Sequence, residues 1–527
     1  MYEMRPYQLN SKNAIYTEWN NGNKKTLLVL PTGCGKTVVF AYVSKELVEN
    51  GFRVLILAHR GELLQQAQDK LKLAAGLDSA LEKGSSSSLG SPLSITVASI
   101  QTLTRESRLS QFSQDYFQAI IVDEAHHCLA DSYRHILDHF PYAYVLGVTA
   151  TPDRGDMRDL STYFDSVAYQ YSMAQAVKDG YLCPLRVEYV NMEIDISMVN
   201  LANGDYAAGG LGAALEDYLE DIADAMVEKC KGRKTVVFLP LIKTSRKLCA
   251  LLRKRKMKAA EVNGGSSDRT KILQDFEKGK YDVLCNSMLL TEGWDCPSVD
   301  CIIVLRPTKI RSLYQQMVGR GMRLFEGKKN LLLLDFLWLS TKHNLCRPAD
   351  IVGQNSEIAD RITDILQKTD GGMDLTEAAE KAERDAIAER EQTLAAELKR
   401  IKTLSQYVDP AAYAMSVGLY DLLEYAPVFR WEKAPPTEKQ LNLLEKRGIN
   451  TSNIINAGLA AQLIDTLIER QKAGLATPKQ IRCLEKYGFT HVGTWRFEDA
   501  NAMITNMANN GWQVPSGITP AEYTPQQ

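Results

Sequence analysis

The sequence predicts an α/β chain with two tandem parallel-sheet blocks, followed by an all-α C-terminal region. Three features carry this reading. Short apolar runs alternate with helical stretches as far as about residue 345, no clear strand follows Lys342, and a helical repeat closes the chain. Continuous apolar strands between helices indicate a parallel sheet covered on both faces. The 527 residues suggest three or four domains at about 150 residues each. A hydrophobic content of 45% excludes wholesale disorder. With 62 basic and 64 acidic side chains the net charge is −2, so any polyanion-binding surface must be local. No apolar run approaches the roughly 18 residues of a membrane span, and Met1–Pro6 opens without an apolar signal core. Ten cysteines without a CxxC pair suit reduced thiols in a cytoplasmic protein, and argue against a disulfide framework or zinc ribbon.

The first block, 1–190, has strand-like runs at Thr26–Leu30, Arg53–Ala58, Ile95–Ile100, Ala119–Val122 and Tyr144–Val148, with helices at Val38–Glu49 and Glu62–Leu73 between them. Residues 191–213 are rich in Asn, Gly and Ala and read as a connector. The second block, 214–345, places strands at Thr235–Leu239, Asp282–Cys285, Cys301–Leu305 and Asn330–Phe336, and helices at Lys243–Arg255, Thr270–Lys278 and Leu313–Met322. Residues 346–432 form a helical extension in which Asp374–Leu404 reads as one long charged helix. Its positions Leu394, Leu398, Ile401 and Leu404 make one apolar stripe. In 433–515, Thr437–Gly448 matches Thr477–Gly488 at an offset of 40, each copy opening on a Thr cap and closing on Gly. The repeats hold ten basic against seven acidic side chains between Lys433 and Trp512, which suits DNA targeting or protein docking.

Pro31-Thr32-Gly33-Cys34-Gly35-Lys36-Thr37 lies between an apolar strand and a helix, the setting of a phosphate-binding loop. Glycines let backbone N–H groups wrap phosphates, Lys36 reaches the outer phosphates, and Thr37 ligates Mg²⁺. The general spacing asks for Gly where Leu30 stands, but the core from Gly33 to Thr37 is intact. Asp123-Glu124-Ala-His126 follows an apolar strand. It offers Asp123 as metal partner and Glu124 as the base that orients and deprotonates a water.

These motifs, with others in order, resemble those of superfamily 2 helicases and translocases. Arg5-Pro-Tyr-Gln8 resembles the adenine-reading Q motif, Pro31–Thr37 motif I, Ala58-His-Arg60 motif Ia and Ser99-Ile-Gln-Thr102 motif Ib. Asp123–His126 is similar to a DEAH-type motif II, Thr149-Ala-Thr151 to motif III and Val236–Leu239 to motif IV. Leu290–Asp295 resembles motif V, and Gln316–Arg323 motif VI. The run Ser312–Leu324 looks most like RadD-type bacterial DNA-repair helicases and their phage and organellar relatives. Those bacterial proteins carry a Cys-rich zinc segment after the core that has no counterpart here, so their C-terminal functions do not carry over.

The resemblance implies two RecA-like domains clamping ATP and Mg²⁺. Arg5, Gln8, Thr32, Gly33, Cys34, Gly35, Lys36 and Thr37 would bind nucleotide from the first domain, and Gly293, Asp295 and Gln316 from the second. Arg320 and Arg323, three apart on the expected helix, would share a face and supply cations across the cleft. Arg60, Thr102 and Thr291 would hold nucleic-acid backbone. The implied activity is an ATP-driven helicase or translocase that remodels forks, branched DNA or R-loops. Its rivals are an RNA helicase, an ATP-clamped nucleic-acid sensor and the motor subunit of a defence complex.

Overall fold

Strands β1 (Lys25–Val29), β2 (Val54–Ala58), β4 (Ile95–Ser99), β5 (Ala119–Asp123) and β6 (Tyr144–Thr149) are buried along almost their whole length in the computed structural model. Apolar side chains on both pleat faces demand helices above and below, and α1 (Pro6–Asn20), α2 (Lys36–Glu49) and α3 (Gly61–Ala75) are among those supplied. The structure describes residues 3–58, 61–150, 157, 159–190, 192, 194, 196, 199–202, 205–287, 290, 294–336, 345–353, 356–369, 371–386, 408–417, 419, 422, 425–429 and 431–525. With β3 (Ala80–Glu82) and β7 (Ser166–Gln170), the first sheet is wholly parallel and ordered β3-β4-β2-β5-β6-β1-β7.

The second sheet contains β8 (Leu185–Tyr189), β11 (Thr235–Leu239), β12 (Ala259–Val262), β13 (Val283–Ser287), β14 (Cys301–Val304), β15 (Leu331–Asp335) and β16 (Met373–Asp374), in the order β12-β13-β11-β14-β15-β8-β16. Numbered within each domain, both sheets read 3-4-2-5-6-1-7. They differ at the last strand, where β7 runs parallel to β1 and β16 antiparallel to β8. A two-stranded hairpin, β9 (Leu201–Ala202) with β10 (Asp205–Tyr206), stands apart from both sheets.

Several sequence boundaries move. The sheet changes before Leu185, not at 190, because β8 pairs in register with β15. The expected connector 191–213 contains the β9–β10 hairpin and the start of the helix Ala208–Glu216. There Asp205 is buried and accepts hydrogen bonds from the Thr308 hydroxyl (2.7 Å) and the Lys309 N–H (2.9 Å). A strand also lies beyond Lys342: β16, two residues long, too short to leave an alternating pattern. Of the expected helix Asp374–Leu404, residues 375–386 are helical. Residues 387–407, with Leu394, Leu398, Ile401 and Leu404, lie outside the described residues.

The chain divides into two compact units, Met1–Glu383 and Arg384–Gln527. Both sheets belong to the first, so the unit boundary falls inside the expected helical extension. The second unit packs Glu438–Lys446, Ala457–Lys472, Pro478–Glu485 and Phe497–Asn509. Thr437 and Thr477 each accept a hydrogen bond from the backbone of Gln440 and Gln480 and complete capping boxes. Gly448 and Gly488 end the first helix of each copy in the left-handed region, at φ +92° and +91°. The repeat extends into the core: Leu444, Ile449, Ala460, Leu463 and Leu467 are buried with their 40-offset counterparts Leu484, Phe489, Ala500, Met503 and Met507. Val408 and Tyr413 share this core and Tyr523 packs on it, so the packing continues beyond the predicted 433–515 at both ends. Among the described residues no helix is long and apolar enough to cross a membrane, and no disulfide joins any of the cysteines.

Candidate nucleotide site

The loop between β1 and α2 wraps because Gly33 (φ +94°) and Gly35 (φ +74°) take left-handed conformations that side chains resist. A Cβ on Gly35 would stand 2.5 Å from the Gln8 amide nitrogen. That nitrogen donates to the Cys34 carbonyl (3.0 Å), as does the Tyr7 hydroxyl (2.7 Å), while Gln8 Oε1 accepts from the Arg5 N–H (2.9 Å). Tyr7 stacks on Tyr171 at 4.7 Å, and Arg5 lies 5.2 Å above the Tyr181 ring. Burial pushes the Tyr7 hydroxyl up to about 12, so it stays a donor at neutral pH. The Gln8 amide nitrogen also donates to the Tyr7 hydroxyl (3.4 Å), so the capacity left on this side chain is the second lone pair of Oε1.

At the end of β5 the chain turns through Glu124, which holds φ 54° and ψ 60°. A non-glycine residue there is strained, and its carboxylate faces the loop. Glu124 Oε1 lies 3.8 Å from Lys36 Nζ. Glu124 Oε2 is buried without a hydrogen-bond partner among the described residues, and His126 Nδ1 stands 3.6 Å away. Burial opposes ionisation of Glu124, but Lys36, His126, Arg320 and His127 outweigh it and hold this carboxyl below its ordinary range. Asp123 moves the other way, to about 6, through burial and the negative charge of Glu124. Within the pair, Glu124 is thus biased toward the carboxylate and Asp123 toward its protonated form.

The second α/β domain reaches this loop directly. A Cβ on Gly319, the last residue of the helix Arg311–Gly319, would stand 2.7 Å from Thr32 Cβ. The Cys183 N–H donates to the Met322 carbonyl (2.8 Å), tying the interdomain chain to the same turn. Arg320 donates to the Trp294 carbonyl (2.9 Å), and Arg323 forms an ion pair with Asp295. The shared helix face expected for the two arginines is not observed. Arg320 caps the helix and Arg323 lies past it. Gly321 makes this turn close, since a Cβ there would meet Leu331 Cδ1 at 2.5 Å.

One cavity of about 480 Å³ gathers Arg5, Gln8, Thr32, Gly33, Gly35, Lys36, Thr37, Asp123, Glu124, Asp295, Arg320 and Arg323. Its size is that of a small-molecule site. The residues fit Mg²⁺ with a nucleotide: two left-handed glycines line the cavity beside Lys36; Thr37 and Asp123 offer hard oxygen donors; and Glu124 keeps an orphaned carboxylate oxygen. Cys34 and Gln316 are buried and do not line this cavity, although Cys34 contributes the carbonyl held by Gln8. Thr102 is buried too, and its hydroxyl accepts from the Gly84 N–H (3.0 Å). Arg60, Thr291 and Gly293 lie outside the described residues. Sequence reading missed Gln66, Lys70, Leu73 and Ala74, which bring α3 to the cavity wall. Burial lowers the Lys70 ammonium, against the attraction of Asp123. The available signal was their spacing of four, three and one along α3, which is one helix face.

Residues 1–154 match the family described as type III restriction enzyme, res subunit, and residues 216–325 match the helicase conserved C-terminal domain. The two α/β domains are thus each similar to one half of a superfamily 2 helicase core. The chain is 33% identical over 359 residues to IRC3 of Saccharomyces cerevisiae, named as an ATP-dependent helicase, covering 64% of this chain and 52% of that protein. It is 34% identical to irc3 of Schizosaccharomyces pombe, named as mitochondrial, covering 63% of this chain and 57% of that one. It therefore spans little more than half the length of these relatives. Among solved structures, a fragment of a type I restriction enzyme HsdR subunit from Vibrio vulnificus is similar at a TM-score of 0.53 and 27% identity, covering 65% of this chain and 66% of that one.

Proposed function

We propose that this chain hydrolyses ATP to move on and remodel DNA, at forks, branched DNA or R-loops. One observation carries the reading: a phosphate loop, a split acidic pair and two arginines from a second domain line a single cavity. Thr37 and Asp123 would hold Mg²⁺, which when bound offsets charge on the outer phosphates. Lys36 contacts those phosphates, and Glu124 Oε2 takes the proton of the attacking water. Arg320 and Arg323 stabilise the developing charge after exchanging their present partners, the Trp294 carbonyl and Asp295. That exchange links nucleotide state to the contact between the domains, and cycling the contact between two nucleic-acid grips gives directed movement. The preference for DNA over RNA rests on the RadD-like run Ser312–Leu324 and on the restriction-subunit likeness. That likeness also favours a second reading, the motor subunit of a defence complex, in which any cutting needs a partner.

The test is ATP turnover with single-stranded, duplex or forked DNA, or with matched RNA. Strongest stimulation by duplex or fork is expected. Stimulation by RNA alone moves the chain to the RNA helicases, and none at all favours the ATP-clamped sensor or the partner-dependent motor.

A further inference from the structure

A second cavity, of about 700 Å³, lies within the C-terminal unit. The ends of the first repeat's helices and the beginnings of the second repeat's helices line it. Lys446, Arg447, Arg470, Lys479 and Arg496 face it, with Glu498 the one acidic residue of the lining. A chain of net charge −2 has therefore placed five cations around one opening. Arg470 serves the fold, donating to the Gly493 carbonyl, and Arg447 bonds Gln471. Lys446, Lys479 and Arg496 are exposed and have no carboxylate partner among the described residues. The Lys479 stem lies across Gly448, where a Cβ would stand 2.9 Å from its Cγ. That glycine thus keeps the second repeat's cation against the first repeat.

The two repeats share a core and differ at this opening. In the first repeat, Asn456 caps its helix by accepting from the Leu459 N–H (2.8 Å), and Ala457 after it is buried. At the same two places the second repeat has Arg496, which makes no side-chain cap, and Phe497, which is 45% exposed. A good cap has been replaced by a cation at a helix N-terminus, the end where the macrodipole disfavours positive charge. A buried methyl has been replaced by an exposed ring. Neither change helps the helix. Together they supply the two parts of a strand-binding site, a cationic track for phosphates and an aromatic face for a base.

We infer that this cavity binds single-stranded nucleic acid, with backbone phosphates on Lys446, Lys479 and Arg496 and a base on Phe497. The inference deepens the proposed function and rests on its reading that nucleic acid is the substrate. Phosphate and ring contacts of this kind are sequence-tolerant and accept DNA or RNA.

The test uses the full chain without ATP, titrating fluorescent oligothymidylate, oligouridylate or duplex across a salt series. The triple variant Lys446→Gln, Lys479→Gln, Arg496→Gln should weaken single-strand binding about tenfold or more. It should also flatten the salt slope by about 2, since each lost contact to a single strand removes roughly 0.7. Phe497→Ala should weaken binding about fivefold or more and leave the slope unchanged. The control Lys433→Gln, Lys439→Gln, Lys486→Gln removes the same charge from exposed positions outside the cavity and should alter the slope clearly less. An unchanged slope in the cavity triple, an equal change in both triples, or an effect confined to duplex overturns the inference. Polyglutamate is titrated in parallel, and a cavity triple that loses its binding while keeping oligonucleotide binding also overturns the inference, since the ligand would then be an acidic protein. ATP turnover without nucleic acid should be unchanged in every one of these variants. Lys36→Ala should lose turnover yet keep the salt slope, so turnover surviving in that variant would sink the motor reading while leaving this site standing.

Discussion

The two sheets of the first unit share a strand order and divide the chemistry. After its first strand the N-terminal sheet has the phosphate loop, while the second sheet has β8 leading toward the β9–β10 hairpin. After its fifth strand the N-terminal sheet has Asp123 and Glu124. The second sheet has Leu305 and Arg306 there, with Arg306 3.6 Å from Asp205. One topology carries an acidic strand end with a left-handed Glu124 in the first sheet, and in the second an arginine paired with a buried aspartate. The second domain acts instead through the end of one helix, where a glycine packs on the loop and two arginines enter the cavity. A shared fold therefore fixes where a site can be built, and the residues at the strand ends decide whether one is built.

This division can be broken at the arginines first. Arg320→Ala should lower kcat by about 10³–10⁵-fold, with far less change in ATP binding. A kcat near that of the parent protein would make the second sheet a bystander. Glu124→Gln should reduce turnover by about 10²–10⁴-fold while ATP and nucleic acid stay bound, and unchanged turnover would move the base elsewhere. Gly319→Ala forces a Cβ against Thr32 and should cost up to about 10²-fold in kcat by misplacing the arginines. Thermal melting should show little change, because the clash lies at the contact between the domains.

The smallest effect concerns pH. Burial and the charge of Glu124 push the Asp123 carboxyl up to about 6, so Mg²⁺ bound there would compete with its proton below that pH. Apparent Mg²⁺ affinity should rise with pH up to about 6 and then level. A carboxyl raised above its ordinary 3.8 works against the metal-free fold as pH climbs from about 4 to 6. The Asp123→Asn variant should lose both dependences, and an unaltered Mg²⁺ profile in that variant would remove Asp123 from the metal site.

The central strands and the phosphate loop were legible because burial on both faces makes wholly apolar runs, and because a loop wrapping phosphate leaves few alternatives to Gly-Cys-Gly-Lys-Thr. The repeat was legible because its caps and closing glycines recur at one spacing. Edge strands were not, since β3 and β16 are three and two residues long and owe their form to neighbours. The spacing of Gln66, Lys70, Leu73 and Ala74 marks one face of α3, but that this face meets the cavity depends on how α3 lies against its neighbours, which spacing along the chain does not encode. The turn at Gly319–Arg323 was misread as helix because the close approaches that make it lie in Thr32 and Leu331, remote in the chain.

The last strand of the second sheet bears on how the protein is made. The first sheet is complete once Gln170 has emerged from the ribosome, with all seven strands present in one continuous stretch. β8 emerges next, yet its partners are β15, beginning at Leu331, and β16, beginning at Met373. At about 5–20 residues per second, β8 waits roughly 10–30 s with both edges unpaired. During that interval a nascent chain carries a finished N-terminal domain beside a strand that neighbouring chains could capture. Slowed translation between Tyr189 and Leu331 would lengthen this exposure and should favour aggregation through the second domain, while the nucleotide loop is already formed.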